Sequence, residues 1–287
     1  MNWNMWYHLA DSNWFTSWGL NYPWVGVVVI FWIFAFGACI GSFLNVCIWR
    51  IPRGESLSKA SSHCTSCGSH IRWYDNIPVV SYLILRGRCR SCRTAYSASY
   101  FMVELVCGLL TALLVLKVGF VRQNPEVIPG MMLMIFFGVT CAMTDLRFRV
   151  VPDKLTVTGM VLALLTAAVL PEAWSTGSRL QALWFSFASG AVPGAILAVF
   201  ALAGQIICRR TVIGWGDVKF ITLCGMFLGL PGAVFSLFAG SFFGTYWGLT
   251  ITRKLDGEVP LVPFVVLGSW FWIFFDVLIL NFFVSLF

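Results

Sequence analysis

Charge is scarce in this sequence. Asp, Glu, Lys and Arg make up 11% of 287 residues, whereas 59% are hydrophobic and mean hydropathy is +0.83. A soluble domain has no use for that much apolar surface, and apolar runs of about 20 residues, long enough to cross a bilayer, recur along the chain. A cleavable export signal is not expected either. Residues 1–22 lack a positively charged start, and the apolar run that follows is too long for one. Nor is there a convincing internal repeat, which many transporters show in matching halves. What remains is an all-α polytopic membrane protein.

About eight transmembrane helices are expected, over 24–49, 100–120, 127–145, 155–171, 181–208, 217–230, 232–252 and 262–286. Trp3, Trp6, Tyr7, Trp14 and Trp18 stand among polar residues in 1–22, a mix suited to the headgroup region. The 217–230 run is short, and its Gly225 and Gly229 have the small-residue spacing that favours close helix contact. Cys39, Cys47, Cys107, Cys141, Cys208 and Cys224 lie within or at the ends of apolar runs and read as small packing residues.

The net charge of +7 points less to nucleic acid than to topology. With the N-terminus outside, the cytoplasmic segments are 50–99, 146–154, 209–219 and 253–261, and they hold 16 of the 19 Lys and Arg residues. That orientation puts Asp145, at the end of the third span, and Asp217, at the start of the sixth, on the same side. Carboxylates at the edge of hydrocarbon are costly and tend to be functional. Two that share a proton form an acid/base pair able to activate water. A helix cap is the plain alternative for Asp217. Two glycines, Gly214 and Gly216, precede it and leave room for another backbone to approach.

The one large polar segment, 50–99, carries Cys64-Thr65-Ser66-Cys67 and Cys89-Arg90-Ser91-Cys92. Two C-x2-C pairs with 21 residues between them offer four thiolates to a structural Zn²⁺. Disulfides are the alternative, and a reducing cytoplasm argues against them. His63 and His70 read as surface residues beside the first pair. Arg86, Arg88, Arg90 and Arg93 are expected to face anionic lipid or solvent. Asp153 reads as an ordinary N-cap, and Ser42 and Asn45 as helix–helix hydrogen bonds ahead of a place in a site. Glu104, about one turn into the second span, either pairs with a loop arginine or helps bind a ligand.

Several of these stretches, in order, resemble the type IV prepilin peptidases, also called leader peptidase/N-methyltransferases. They are Gly41-Ser42-Phe43-Leu44-Asn45-Val46, Arg50-Ile51-Pro52-Arg53, the four cysteines, Asp75-Asn76-Ile77-Pro78, Arg86-Gly87-Arg88-Cys89 and Val103-Glu104-Leu105. In the second half they are Asp145-Leu146, Pro152-Asp153-Lys154-Leu155-Thr156 and Gly214-Trp215-Gly216-Asp217-Val218-Lys219. The resemblance implies a membrane aspartyl protease of the GxGD type with Asp145 and Asp217 as its catalytic pair. It also implies methylation of the new N-terminus with S-adenosylmethionine, which makes Glu104 a candidate for the methyl-donor region. Trp215 stands where methionine is frequent in the family, and 259–264 matches its proline-rich motif only loosely.

The expected organisation is an aromatic-rich segment 1–22, a region 23–120 with the zinc loop 50–99 and the methyltransferase part, and a peptidase domain 121–287. The expected partners are prepilin or pseudopilin substrates and membrane lipids, without nucleic acid. The expected place is the bacterial inner membrane, with the active site on the cytoplasmic side. A proton-coupled transporter using the same aspartates is the rival reading.

Overall fold

The computed structural model describes residues 23–57, 63–64, 66–119, 124–209, 213–252 and 260–285. The tryptophan-rich 1–22 therefore lies outside the described residues. Two compact units form, one from residues up to Val46 with Ser56–Ile128, the other from Cys47–Glu55 with Pro129–Phe287.

In the first unit, α1 (Pro23–Arg50) supplies its residues up to Val46 and runs antiparallel to α3 (Ala98–Lys117). Contact is close because small residues face each other. A Cβ on Gly41 would stand 2.9 Å from the Glu104 Cα, and one on Gly37 would stand 2.7 Å from the Cys107 carbonyl oxygen. Asn45 donates Nδ2 to the Tyr100 carbonyl at 3.0 Å, the helix–helix bond expected of it. The Ser97 hydroxyl caps α3 by accepting the Ser99 N–H. Between these helices lie a short helix α2 (Val80–Leu85) and the two cysteine pairs.

The second unit comprises α4 (Ile128–Phe148), α5 (Asp153–Val169), α6 (Arg179–Cys208), α7 (Trp215–Trp247) and α8 (Val262–Ser285). Small residues again set the contacts. A Cβ on Gly225 would fall 2.1 Å from the Ser189 carbonyl oxygen and 2.7 Å from the Gly190 Cα, so α6 and α7 meet almost backbone to backbone. Gly229 does something else. Its φ of 76° and ψ of 170° are not helical and belong to a region that essentially only glycine occupies.

The chain reverses there. The first limb of α7 (215–228) runs antiparallel to α4, with Phe227 beside Gly130 and Asp217 beside Asp145. Helix α8 starts at that same end, where Val262 meets Asp145, and passes Gly138 with Val266 and Trp270. The second limb (230–247) runs antiparallel to α8, with Gly232 against Trp272 and Gly244 against Phe264. Both ends of α7 therefore lie at the Asp145 end of the bundle. A straight 33-residue helix would have carried them about 50 Å apart.

Six helices among the described residues are long and apolar enough to cross a membrane, with α7 counted once. The expected spans 217–230 and 232–252 are the two limbs of α7, and the expected 155–171 is α5, which at 17 residues is shorter than these six. Cys47, Cys107, Cys141 and Cys224 are buried as packing residues should be. Cys39 is exposed on α1, contrary to expectation, because it lies on the face turned away from α3. The Cys208 side chain lies outside the described residues.

Candidate active site and metal centre

Asp145 sits in the last turn of α4, buried among apolar residues, and its Oδ2 has no hydrogen-bond partner. The backbone N–H of Val262, at the start of α8, faces the carboxylate. Asp217 enters from the first turn of α7 and is half buried, and its Oδ2 accepts the Gly214 N–H at 3.2 Å. The N-cap is Gly214 rather than Asp217, whose carboxylate folds back on the turn from the N3 position. The two carboxylates are within electrostatic reach of each other. Residues 72 apart in sequence thus come within that reach because α4 ends and α7 begins at one end of the bundle. Gly216 makes a different close approach from the one expected. A Cβ there would stand 3.1 Å from the Val151 side chain, which closes the α4–α5 connection over α7.

In the first unit the four thiolates converge. The Sγ atoms of Cys64, Cys67, Cys89 and Cys92 all lie within 4.8 Å of one another. Four sulfurs about 2.3 Å from one Zn²⁺ stand about 3.8 Å apart in a tetrahedron. Cys64 and Cys92 are 3.8 Å apart. The two pairs have the same backbone pattern. The Cys64 N–H donates to Ser69 O and the Gly68 N–H to Cys64 O, just as Cys89 donates to Thr94 O and Arg93 to Cys89 O. Gly68 and Arg93 are left-handed at matching places, with φ of 69° and 61°. Backbone N–H groups of Cys92 and Ser91 draw the Cys89 thiol down to about 6, suiting it to bind metal as thiolate. The donor set fits a structural zinc. His63 and His70 are exposed and bridge the base of the first pair.

Of the two roles expected of Glu104, pairing with a loop arginine is not seen among the described residues. Its Oε2 accepts the Val79 N–H at 2.8 Å, and the Ser42 hydroxyl reaches the same carboxylate. Beside it Tyr82 stacks on Phe101 and meets Tyr96 edge-on. Arg90 is exposed, as expected, but is also bound. It grips Asp75 through Nε and Nη2, with Nη2 to Oδ1 at 2.6 Å, and so ties the second cysteine pair to the Asp75-Asn76-Ile77-Pro78 stretch.

Residues 35–118 match the family model for the bacterial peptidase A24 N-terminal domain, and residues 132–249 match that for the type IV leader peptidase family. The chain belongs to the type IV leader peptidase family. It is a membrane peptidase.

This peptidase is 32% identical over 203 residues to the prepilin leader peptidase/N-methyltransferase of Myxococcus xanthus, a match covering 71% of this chain and 57% of that protein. The chain thus spans little more than half the length of that relative. Against proteins of the same name from Stutzerimonas stutzeri and Pseudomonas aeruginosa the identities are 29% and 28%, each covering 82% of this chain and 86% of the relative. No solved structure matches the chain.

Two acids of the peptidase differ from the sequence reading. Asp153 is not a cap, since Pro152 holds the N-cap position and no side chain caps α5. Instead Asp153 Oδ1 accepts from Lys219 Nζ at 2.5 Å, which joins the first turn of α5 to that of α7. Asp276, buried in α8, was passed over, although a lone acid within the apolar run 262–286 was its signal. It lies fourteen residues, or about 21 Å, along α8 from the Asp145 end and belongs to no dyad there.

Proposed function

We propose that this peptidase removes the short basic leader from prepilins and pseudopilins with the aspartate pair Asp145 and Asp217, and methylates the new N-terminus with S-adenosylmethionine. The observation that carries the reading is two carboxylates from different helices within electrostatic reach of each other at one end of a helical bundle. The names of the relatives support the substrate class and both activities. The family match does not favour the transporter alternative.

One carboxylate, ionised, takes a proton from water as the oxygen attacks the scissile carbonyl carbon. The other, protonated, donates a hydrogen bond to the carbonyl oxygen. On collapse the proton passes to the departing amide nitrogen and the C–N bond breaks. The pair titrates as a unit, so the roles belong to the dyad. The N–H groups of Val262 and Gly214 hold the two carboxylates in place.

In this reading the protein lies in the bacterial inner membrane with its N-terminus outside and the dyad at the cytoplasmic face. The distribution of Lys and Arg supports that orientation. With α5 and both limbs of α7 counted as crossings, eight spans result, and within the second unit the Asp145 end of each helix falls on the cytoplasmic side. Residues 23–120 carry methyl transfer, with zinc on Cys64, Cys67, Cys89 and Cys92 stiffening the loop, and residues 121–287 carry proteolysis. S-adenosylmethionine supplies a methyl group on a cationic sulfonium. Glu104, with Tyr96 in electrostatic reach and Tyr82 edge-on to that ring, provides the carboxylate and aromatic faces that such a cation suits.

The test is incubation of purified wild type, Asp145→Asn and Asp217→Asn with a prepilin, with and without S-adenosylmethionine, followed by mass spectrometry of the products. Cleavage by wild type alone, with the methyl mass added only when the donor is present, is the expected result. Cleavage by either variant at the wild-type rate would reject the dyad.

A further inference from the structure

The loop between α1 and α3 is polar by composition, yet one side of it is not. Trp73, Ile77, Val80, Leu83 and Ile84 are all exposed, with 81%, 62% and 70% of Trp73, Leu83 and Ile84 open to solvent. Val80, Leu83 and Ile84 follow the i, i+3, i+4 spacing of one face of α2, and the Ser81 N–H to Ile77 O bond keeps Ile77 beside its first turn. The opposite side of α2 is occupied, because Tyr82 packs on Tyr96 and Phe101.

The depth of this stripe is set by α3. The Val79 N–H is bonded to Glu104, which is six residues, or about 9 Å, into a helix long and apolar enough to cross a membrane. Phe101, on which Tyr82 stacks, is among the first apolar residues of that span. The start of α2 is therefore tied to α3 within the apolar part of that helix. A water-facing loop would have no reason to direct an apolar stripe outward at that depth. Arg72, Arg86 and Arg88 are exposed at the two ends of the segment, where they can meet phosphate headgroups.

We infer that residues 73–84 form an in-plane membrane anchor, whose apolar stripe is buried in the lipid at the headgroup boundary and whose flanking arginines contact anionic lipid. Tryptophan at one end and aliphatic residues along the stripe are the composition expected of such a segment. The occupant of this face is the bilayer in which the peptidase itself sits. The anchor holds the zinc loop against the membrane surface instead of leaving it free in solution.

The test reads depth rather than catalysis, so it stands or falls apart from the proposed activities. Full-length zinc-loaded peptidase, with an environment-sensitive fluorescent amino acid replacing Ile84, is reconstituted in phosphatidylcholine/phosphatidylglycerol vesicles. A second protein carries the label at Leu83, and a control carries it at exposed Ser91 on the second cysteine pair. Brominated acyl chains should quench positions 83 and 84 roughly twofold or more over position 91, whereas aqueous iodide should quench position 91 preferentially. If iodide reaches 83 and 84 as readily as 91, and bromine reaches none of them, the anchor does not exist. The second label guards against a local disturbance at either site.

Discussion

Glu104 accepts the N–H of Val79, and that valine is held at φ 66° and ψ −52°. The Val80 N–H to Pro78 O bond at 2.7 Å closes a γ-turn around it, a conformation rare for any residue and more so for a β-branched one. The carboxylate thus stabilises a strained turn at the start of α2. Glu104→Ala leaves the donor unpaired and should cost on the order of 1–3 kcal/mol, read as a lower thermal midpoint of the purified protein. Glu104→Gln keeps an acceptor and should retain the wild-type midpoint. If Gln nonetheless loses methyl transfer while cleavage persists, the negative charge acts on donor or substrate. If Gln methylates normally, Glu104 only holds the turn.

The dyad predicts non-additivity. Asp145→Asn and Asp217→Asn should each reduce cleavage by roughly a thousandfold or more, and the double variant should be little worse than either. Initial rates on one prepilin decide the matter. Independent, additive losses would mean that the two carboxylates do not work as a unit.

Purified peptidase should contain one zinc per chain by elemental analysis. Metal binding and ordering of a small thiolate loop are coupled, so Cys64→Ser with Cys67→Ser should lose the metal and open residues 50–99 to protease. Zinc content unchanged in that variant would move the site elsewhere.

Asp75 and Arg90 give the loop a pH dependence. The Arg90 fork holds the Asp75 carboxyl below its ordinary value. A depressed acid contributes stability above its unfolded pKa of about 3.9, and that stability is lost as pH falls through the folded value. Asp75→Asn should therefore make the loop easier to cleave by protease at pH 7. At strongly acid pH, where wild type has also lost the charge, the two proteins should behave alike. A difference that persists unchanged into acid would show that the ion pair is not its source.

Gly229 should tolerate nothing else. Any side chain at φ 76° and ψ 170° is strained, by about 1–3 kcal/mol, and the reversal that returns the second limb to α8 depends on it. Gly229→Ala should lower the thermal midpoint and cleavage together. Gly225→Ala, at the α6 contact, should lower the midpoint through a clash instead, because a Cβ there meets backbone. A Gly229→Ala protein as stable as wild type would mean that α7 does not turn as described.

Much of this was decided locally. The scarcity of charge and the length of the apolar runs determined a helical membrane protein, because a bilayer accepts little else. The cysteine spacing determined the four-thiolate cluster, because two C-x2-C turns build the same backbone pattern whatever surrounds them. The positions of Asp145 and Asp217 at the ends of apolar runs made them candidates.

Tertiary structure decided the rest. Sequence placed Gly225 and Gly229 in one small-residue motif, but only Gly225 serves a helix contact, since only packing shows which glycine has a backbone against it. Asp153 looked like a cap until Lys219, 66 residues away, proved to be its partner. Glu104 was expected either beside an arginine or at a ligand, and it holds a strained valine, because hydrogen-bond partners across a loop are set by how the loop folds back. The apolar stripe of α2 was invisible in composition, since five exposed residues among polar neighbours become a face only when the turn that orients them is known.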